Sequence, residues 1–163
     1  MYPAHFGNNP LFPNKKDFKV VLKNHVSGMG VMTFKSFSKG ALICALAGDI
    51  ITDIRQHSLQ IEPDLHLYDT YFSGYFLHSC SPNVYLDMKN LLVYATQEIN
   101  SMDYLLMDYA QTEDYLYKEF PCTCGAYNCR GWVTGRKQLP GNRQIDQDIM
   151  DIAMHPFERR QSI

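Results

Sequence analysis

Cysteine spacing is the feature of this 163-residue chain that most limits how it can fold. Three of the five cysteines, Cys122, Cys124 and Cys129, form a C-x-C-x4-C cluster among turn-forming residues. A loop of this kind can direct several thiolates toward one point, but three sulfur ligands leave a tetrahedral Zn2+ one ligand short. Cys80, much earlier in the chain, is the candidate for the fourth ligand. The cysteines therefore predict a structural zinc site that fastens the C-terminal segment to the middle of the chain.

Length and charge limit the classes of protein to which the chain can belong. A chain of 163 residues fits one domain that can bury a core without help from a metal. The formal net charge is -2 and the basic residues form no dense run, so we expect no direct binding of nucleic acid.

The same sequence predicts an intracellular protein. No apolar run reaches the roughly 18 residues of a membrane span, and the first ten residues lack the basic and apolar regions of a signal peptide. The cysteine pattern suits a reducing compartment better than a disulfide framework. We therefore expect a cytoplasmic protein, or a nuclear one in a eukaryote, without membrane contact, and the pattern specifies no oligomeric state.

Short apolar runs between turn residues predict a mostly β, α+β domain with few helices. Strands are expected on both sides of the Gly-x-Gly at residues 28–30, where glycine lets a backbone approach a ligand closely. A buried strand is expected at 41–51 and a hairpin at 84–99, around Lys89 and Asn90. A last short strand is expected at 104–109.

Other segments are less regular. Residues 52–66 carry mixed polarity and predict a surface insert, whereas 67–77 (LYDTYFSGYFL) are dense in aromatic residues that suit either a core or a channel wall. One or two helical turns are expected at 111–120. Isoleucines at helical spacing predict an amphipathic helix at 143–154.

Two motifs resemble one known family. Residues 78–83 (HSCSPN) resemble the N-H-S-C-x-P-N signature of SET-domain methyltransferases, and the C-x-C-x4-C cluster resembles their post-SET zinc loop. Three further segments are similar to family motifs and occur in the family's order: 28–31 (GMGV) to G-x-G-x, 47–51 (AGDII) to Y-x-G-E-x-I, and 105–109 (LLMDY) to E-L-T-F-D-Y. The match covers roughly residues 18 to 133.

The resemblance implies a SET-type fold of several small sheets, with a knot-like crossing near residues 78–83, a post-SET zinc loop and a C-terminal helix. It divides the chain into an irregular lead-in (1–17), a SET domain (18–118), a zinc loop (119–133) and a tail with a helix (134–163).

The resemblance also implies an activity, the transfer of a methyl group from S-adenosyl-L-methionine to an amine, foremost a protein lysine. A free lysine with a pKa of ~10.4 is only about 0.04% neutral at pH 7, a deficit of roughly 4.6 kcal/mol. A sulfonium cation and a dry aromatic channel lower the pKa of that amine, so the enzyme must supply orientation more than a strong base.

Roles for individual residues follow from the same motifs. Tyr109 matches the catalytic tyrosine that orients the amine. The residues implied to bind the cofactor are Gly28, Met29, Gly30, Leu77 and His78. The residues implied to line the substrate channel are Leu46, Tyr71, Tyr75 and Met107. The zinc ligands are Cys80, Cys122, Cys124 and Cys129, with His78 as the alternative to Cys80 or as a general base.

Departures from the family pattern support two other hypotheses. Leu77 replaces the asparagine before H-S-C, Leu46 replaces the tyrosine of Y-x-G, and residues 102–104 replace G-E-E. These changes favour a SET-like zinc-containing binding or scaffold protein that has lost catalysis. The short insert at 52–66 favours methylation of a small-molecule amine.

Overall fold

A computed structural model describes residues 1–140 of the chain. In this part the regular secondary structure is mostly strand, with one short α-helix, which confirms the predicted mostly β fold class. The predicted helix at 143–154 lies outside the described residues. The elements in chain order are β1 (Phe18–Asn24), β2 (Gly28–Thr33), β3 (Leu42–Ala45), β4 (Asp49–Ile51), β5 (Ser58–Glu62), β6 (Leu65–Tyr68), β7 (Leu77–His78), β8 (Val84–Asp87), β9 (Leu92–Ala95), β10 (Leu106–Met107), α1 (Tyr109–Thr112), β11 (Phe120–Pro121) and β12 (Trp132–Val133).

The described strands form five small sheets. β1 and β2 make an antiparallel hairpin, and two three-stranded sheets have the strand orders β3-β9-β8 and β4-β6-β5. β8 and β9 form the predicted hairpin at 84–99, with Leu91 in the left-handed region at the turn (φ 54°). β11 pairs with β12, and β7 pairs in parallel with β10. No helix within residues 1–140 is long and apolar enough to cross a membrane.

The run predicted as one strand at 41–51 is two strands in different sheets. β3 pairs with β9, whereas β4 pairs with β6. The chain bends between them at Gly48, where a Cβ would lie 2.5 Å from the carbonyl oxygen of Tyr68. Close backbone packing, which only glycine allows here, therefore divides the apolar run.

The segment predicted as a surface insert is part of a sheet. β5 and β6 form a hairpin whose turn includes Asp64 at φ 59°. Leu59 and Gln60 are buried, while Glu62 at the end of β5 is exposed. The polar composition of 52–66 concealed this strand because one of its buried side chains is polar.

Residues 77–83 and 104–107 cross each other near the centre of the molecule. The Leu106 N–H donates to Asn83 Oδ1 at 2.7 Å, and the Asn83 side-chain amide donates to the Tyr104 carbonyl at 2.8 Å. The Ser79 N–H donates to the Met107 carbonyl at 2.9 Å. These bonds are consistent with the predicted knot-like crossing, and they fix the segments that carry Cys80 and Tyr109.

Aromatic residues of the 67–77 run divide between the core and the surface. Phe72 and Phe76 are buried in the core, where their ring centroids lie 5.2 Å apart. The lead-in packs against the same region, since Tyr2 lies against Phe72 and donates its hydroxyl to the buried Asp69 at 2.8 Å. Residues 69–76 thus form a turn whose two ends are buried in the core. Only part of this turn is available to line a channel.

Candidate active site and thiol cluster

Four thiols converge at one point of the described structure. The Sγ atoms of Cys80, Cys122, Cys124 and Cys129 all lie within 4.8 Å of one another, and those of Cys80 and Cys122 are 3.8 Å apart. Four sulfurs around a tetrahedral Zn2+, with bonds of about 2.3 Å, would be separated by about 3.8 Å. The cluster has the size and the ligand type that a structural zinc site requires. His78 lies beside it, with Nε2 at 3.4 Å from Cys80 Sγ.

Backbone donors surround the sulfurs. The Cys80 N–H points to Cys124 Sγ at 3.5 Å, and the Arg130 N–H points to Cys80 Sγ at 3.4 Å. Burial opposes ionisation of Cys124, but N–H donors of Cys80 and Ala126 outweigh it and lower the pKa of this thiol to about 6. The surroundings of Cys124 thus stabilise the thiolate, the form that binds a metal, whereas burial raises the pKa of Cys122 to about 12.

A cavity of about 540 Å³ lies beside Tyr109. Its walls come from the first hairpin, the segment before and within β5, the turn before β7, and the segment after α1. The residues that line it include Gly28, Met29, His57, Tyr75, Leu77, Met107, Tyr109, Glu113, Tyr117, Lys118 and Phe120.

Tyr109 is held as a neutral hydroxyl. It is the first residue of α1, which Asp108 caps by accepting the Ala110 N–H at 3.2 Å. The Tyr109 hydroxyl donates to the Phe76 carbonyl at 2.8 Å. Burial, and to a lesser degree Glu113, raise the pKa of Tyr109 to about 12. The side chain therefore stays protonated at neutral pH and can accept one further hydrogen bond through its oxygen.

A second, smaller cavity of about 130 Å³ adjoins the first. It reaches from Lys23 and Val26 across to the zinc-loop residues 121–124. Both cavities share four wall residues: Ser27, Leu77, Tyr109 and Phe120. A molecule bound in one cavity would therefore lie close to a molecule bound in the other.

The glycines of the first hairpin differ in their surroundings. Gly28 has φ +73°, and a Cβ built there meets nothing within 4 Å, so open space lies beside its backbone. A Cβ at Gly30 would lie 2.6 Å from Leu77 Cδ1. Gly30 thus makes room for the leucine that replaces the family's asparagine, and Gly28 leaves room for a ligand.

Not all the predicted channel residues line the cavities. Met107 and Tyr75 contribute to the larger cavity, and Tyr75 packs against His57 with ring centroids 4.6 Å apart. Leu46 is buried in the hydrophobic core, and Tyr71 packs against Tyr2 at the surface; neither is among the residues that line the two cavities.

His78 lies between the thiol cluster and Tyr109. Burial lowers its pKa to about 4, although Asp108 opposes this shift, so the imidazole is neutral at neutral pH. Its Nδ1 accepts the Tyr109 N–H at 3.4 Å, which leaves the proton on Nε2, the atom facing Cys80 Sγ. A neutral imidazole in this arrangement bridges the two sites through hydrogen bonds.

An ion pair that the sequence analysis missed joins the zinc loop to α1. Arg130 binds Asp108 through two hydrogen bonds, of 2.5 and 3.0 Å. Because the Arg130 N–H also points to Cys80, one residue contacts both the thiol cluster and the cap of Tyr109's helix. Arg130 directly follows Cys129, the last cysteine of the cluster. This position next to the zinc loop was the one feature of the sequence that could have indicated the ion pair.

Comparison with known proteins gives the chain a family context. No family model matches it. It is 27% identical over 163 residues to histone-lysine N-methyltransferase ASHR3 of Arabidopsis thaliana, covering 85% of this chain and 32% of that protein. It is 26% identical to the histone-lysine N-methyltransferase, H3 lysine-36 specific, of Candida albicans, covering 88% and 20%. The chain therefore spans a third or less of the length of these relatives.

Fold comparison agrees with the sequence comparison. The crystal structure of KRYPTONITE in complex with mCHG DNA and SAH matches with a TM-score of 0.59 at 23% identity, covering 71% of this chain and 28% of that one. The chain therefore has the SET-type fold, and its sequence is similar to those of histone-lysine methyltransferases.

Proposed function

We propose that this chain is a methyltransferase that uses S-adenosyl-L-methionine to methylate a lysine side chain of a protein. The observation that carries the proposal is the position of Tyr109, partly buried at the shared wall of two adjoining cavities. In-line transfer needs a methyl donor and an amine on opposite sides of the transferred group, and two cavities that meet at one hydrogen-bonding side chain supply that arrangement.

The relatives support this proposal. ASHR3 and the Candida albicans protein are named as histone-lysine N-methyltransferases. KRYPTONITE was crystallised with SAH, which is what S-adenosyl-L-methionine becomes when its methyl group has left. A histone is accordingly the first acceptor to test.

Residues of the first hairpin and of β7 fit the cofactor. The open space beside Gly28 admits a ligand against the backbone. Met29 lines the same larger cavity, Leu77 belongs to the wall that both cavities share, and His78 lines the smaller cavity. Leu77 offers no side-chain hydrogen bond, so at this position the chain binds through backbone and apolar contact. When bound, S-adenosyl-L-methionine supplies an activated methyl group on a sulfonium sulfur.

Tyr109 orients the amine. Its hydroxyl hydrogen is committed to the Phe76 carbonyl, so its oxygen is left as an acceptor for an N–H of the amine. With its pKa raised to about 12, Tyr109 does not remove the proton, and its contribution is alignment. Met107 and Tyr75 exclude water from the neighbouring wall, which helps the amine lose its proton.

The four cysteines would hold Zn2+ as a closed structural site. Cys122 and Cys124 also border the smaller cavity, so the metal would order one wall of it. The chain divides accordingly into a SET domain at 18–118 and a zinc loop at 119–133, preceded by the lead-in (1–17) and followed by the tail (134–163).

Two measurements test the proposal. The first is calorimetric titration of S-adenosyl-L-methionine into the zinc-loaded protein and its Tyr109→Phe variant, which should both bind. The second is transfer of a radiolabelled methyl group to recombinant histone H3, with methyl-lysine identified by mass spectrometry, which only the wild-type protein should catalyse.

Each alternative result has a distinct meaning. Absence of saturable cofactor binding by the wild-type protein would refute the methyltransferase proposal. Binding without transfer to histone H3 or to any protein of a cell extract would favour the scaffold hypothesis, in which Leu77 and Leu46 mark lost catalysis.

A further inference from the structure

The larger cavity contains one acidic side chain, Glu113, among its lining residues. Glu113 is 4% exposed, and no Lys or Arg side chain within residues 1–140 lies at ion-pair distance from its carboxylate. Its neighbour Asp114 is different, since it pairs with both Arg136 and Lys137. Burying a carboxylate without a cation nearby costs free energy. A buried carboxylate at the wall of a cavity is therefore suited to bind a cationic ligand.

The carboxyl group of Glu113 is held firmly in place. Its Oε1 accepts the backbone N–H of Gln60 at 2.9 Å. The Gln60 side chain in turn pairs with Asp114, accepting its N–H at 2.7 Å and donating to its Oδ2 at 3.0 Å. Contacts from β5 therefore fix Glu113 on the cavity wall, so little reorganisation is needed for it to bind a ligand.

Aromatic rings line the same cavity as this carboxyl group. Tyr109, the proposed orienting residue, precedes Glu113 by four residues and packs on the ring of Phe120 with centroids 6.1 Å apart. Tyr75 and Tyr117 also line the cavity. Aromatic faces attract cations, so a cavity lined by one carboxylate and four aromatic rings favours a compact organic cation such as an alkylammonium.

Other charged groups around Glu113 do not neutralise it. Arg55, His57 and Lys118 belong to the same cavity wall, but Arg55 is paired with Asp53 and Lys118 lies beyond ion-pair distance of Glu113. Burial, opposed by the Gln60 hydrogen bond and by Arg136, raises the pKa of Glu113 to about 7. An ammonium group that enters the cavity would favour the ionised form.

We infer that Glu113 is a specificity-determining residue whose carboxylate binds the ammonium form of the incoming side chain, so that the cavity selects a cationic chain over a neutral chain of the same length. Identifying that chain as lysine rests on the proposed function. The selectivity itself does not, because it follows from the cavity's charge and its aromatic walls. Glu113 would act on entry, before Tyr109 aligns the amine.

The test compares two small probes on the full zinc-loaded chain at pH 8. n-Butylammonium and 1-butanol have similar length and differ in charge, and their binding is followed through NMR shifts of residues lining the cavity. Because a hydrogen bond between charged groups is stronger than one to a neutral group, we expect the cation to bind at least roughly tenfold more tightly than the alcohol.

Two variants locate the effect. Glu113→Gln should remove the preference for the cation, whereas Glu62→Gln, the same change at the exposed end of β5, should leave it intact. Equal binding of both probes to the wild-type protein, or binding of neither, would overturn the inference even if Glu113→Gln fails to fold. A preference that persists in Glu113→Gln would do the same.

These outcomes are separate from those of the proposed function. Cofactor binding and methyl transfer are measured on other samples, without the alkyl probes. A protein that lacks cofactor affinity but still prefers the cation retains an ammonium site, and a methyltransferase without the preference refutes only the role of Glu113.

Discussion

Tyr109 combines a partly buried ring, a hydroxyl hydrogen that is already donated to the Phe76 carbonyl, and a pKa raised to about 12. This combination suits alignment of a neutral amine, because a protonated phenol offers a fixed acceptor without drawing a proton from the substrate. A base at this position would instead need a pKa near neutrality. The chemistry of the residue thus agrees with its place at the junction of the two cavities.

Replacing Tyr109 by phenylalanine removes the oxygen and keeps the ring. We expect kcat for methyl transfer to fall roughly a hundredfold, since misalignment of reacting groups has effects of this order. Cofactor affinity should stay within about twofold by calorimetry, because the proposed cofactor contacts involve other residues. An unchanged kcat would show that Tyr109 does not orient the amine.

The raised pKa of Glu113 links folding stability to pH. Its folded pKa of about 7 lies above the ordinary value of 4.5, so the folded state binds the proton more tightly than the unfolded chain does. Its contribution to stability is fully present below about pH 4.5 and is lost as pH rises through 7. The unfolding free energy of the Glu113→Gln variant, relative to that of the wild-type protein, should therefore increase as the pH rises from 5.5 to 8.

Urea denaturation of both proteins at pH 5.5 and pH 8 measures this change. Comparing the variant with the wild type at each pH cancels titration of the thiols, which acts in the opposite direction. A difference in unfolding free energy that does not vary with pH would contradict the shifted pKa.

The sequence predicted site residues whose spacing along the chain indicates their chemistry. It did not predict residues that come together only when the chain folds. The convergence of Cys80 with Cys122, Cys124 and Cys129 was predicted because thiols in such spacing have few other uses in a reducing compartment. Glu113 carried no signal, because a glutamate in a polar stretch is ordinarily exposed. Its burial depends on β5, which the polarity of 52–66 concealed.

At the scale of elements, the zinc loop and α1 are joined by the pair of Arg130 and Asp108. Asp108 also caps α1, so the same carboxylate fixes the loop and the start of the helix that carries Tyr109. Local hairpins such as β8–β9 were predictable from a turn flanked by alternating residues. The parallel pairing of β7 with β10 was not, because it joins segments far apart in the sequence.

Arg130→Met should weaken this junction. The pair is partly exposed, so we expect a loss of about 0.5–1 kcal/mol in unfolding free energy and a several-fold fall in kcat, with zinc content unchanged. Zinc should remain because the Arg130 backbone N–H that contacts Cys80 Sγ is kept in the variant and none of the four thiols is changed.

Two variants serve as controls for this prediction. Lys35→Met breaks an exposed ion pair with Asp17 and should leave kcat unchanged. Arg130→Lys keeps the charge but cannot make both hydrogen bonds, so it should recover only part of the activity. Loss of zinc in Arg130→Met would instead assign the side chain to the metal site.

For the molecule as a whole, the thiol cluster and the hydrophobic core stabilise different parts of the structure. The core includes Val31, Phe72, Val84, Val93 and Leu105, all fully buried. None of the four cysteines of the cluster belongs to this core. A chain of this size can keep such a core folded while a loop tied by metal opens.

Cys124→Ser should therefore lower zinc stoichiometry and cofactor affinity together, while far-UV circular dichroism changes little. Hydrogen exchange should accelerate in 119–133 and stay slow in β8 and β9. Metal analysis, calorimetry and exchange on the same samples measure all three effects. Undiminished cofactor affinity in a zinc-free variant would contradict the proposed role of the zinc loop as a wall of the site.

The common wall of the two cavities has a consequence for inhibitor chemistry. Ser27, Leu77, Tyr109 and Phe120 face both spaces, so an adenosine-like group in one and an alkylamine in the other could be joined by a linker of a few atoms. Joining two weak ligands makes the second binding event intramolecular and raises its effective concentration into the millimolar range or above. The fold thus favours bisubstrate compounds over ligands of either cavity alone.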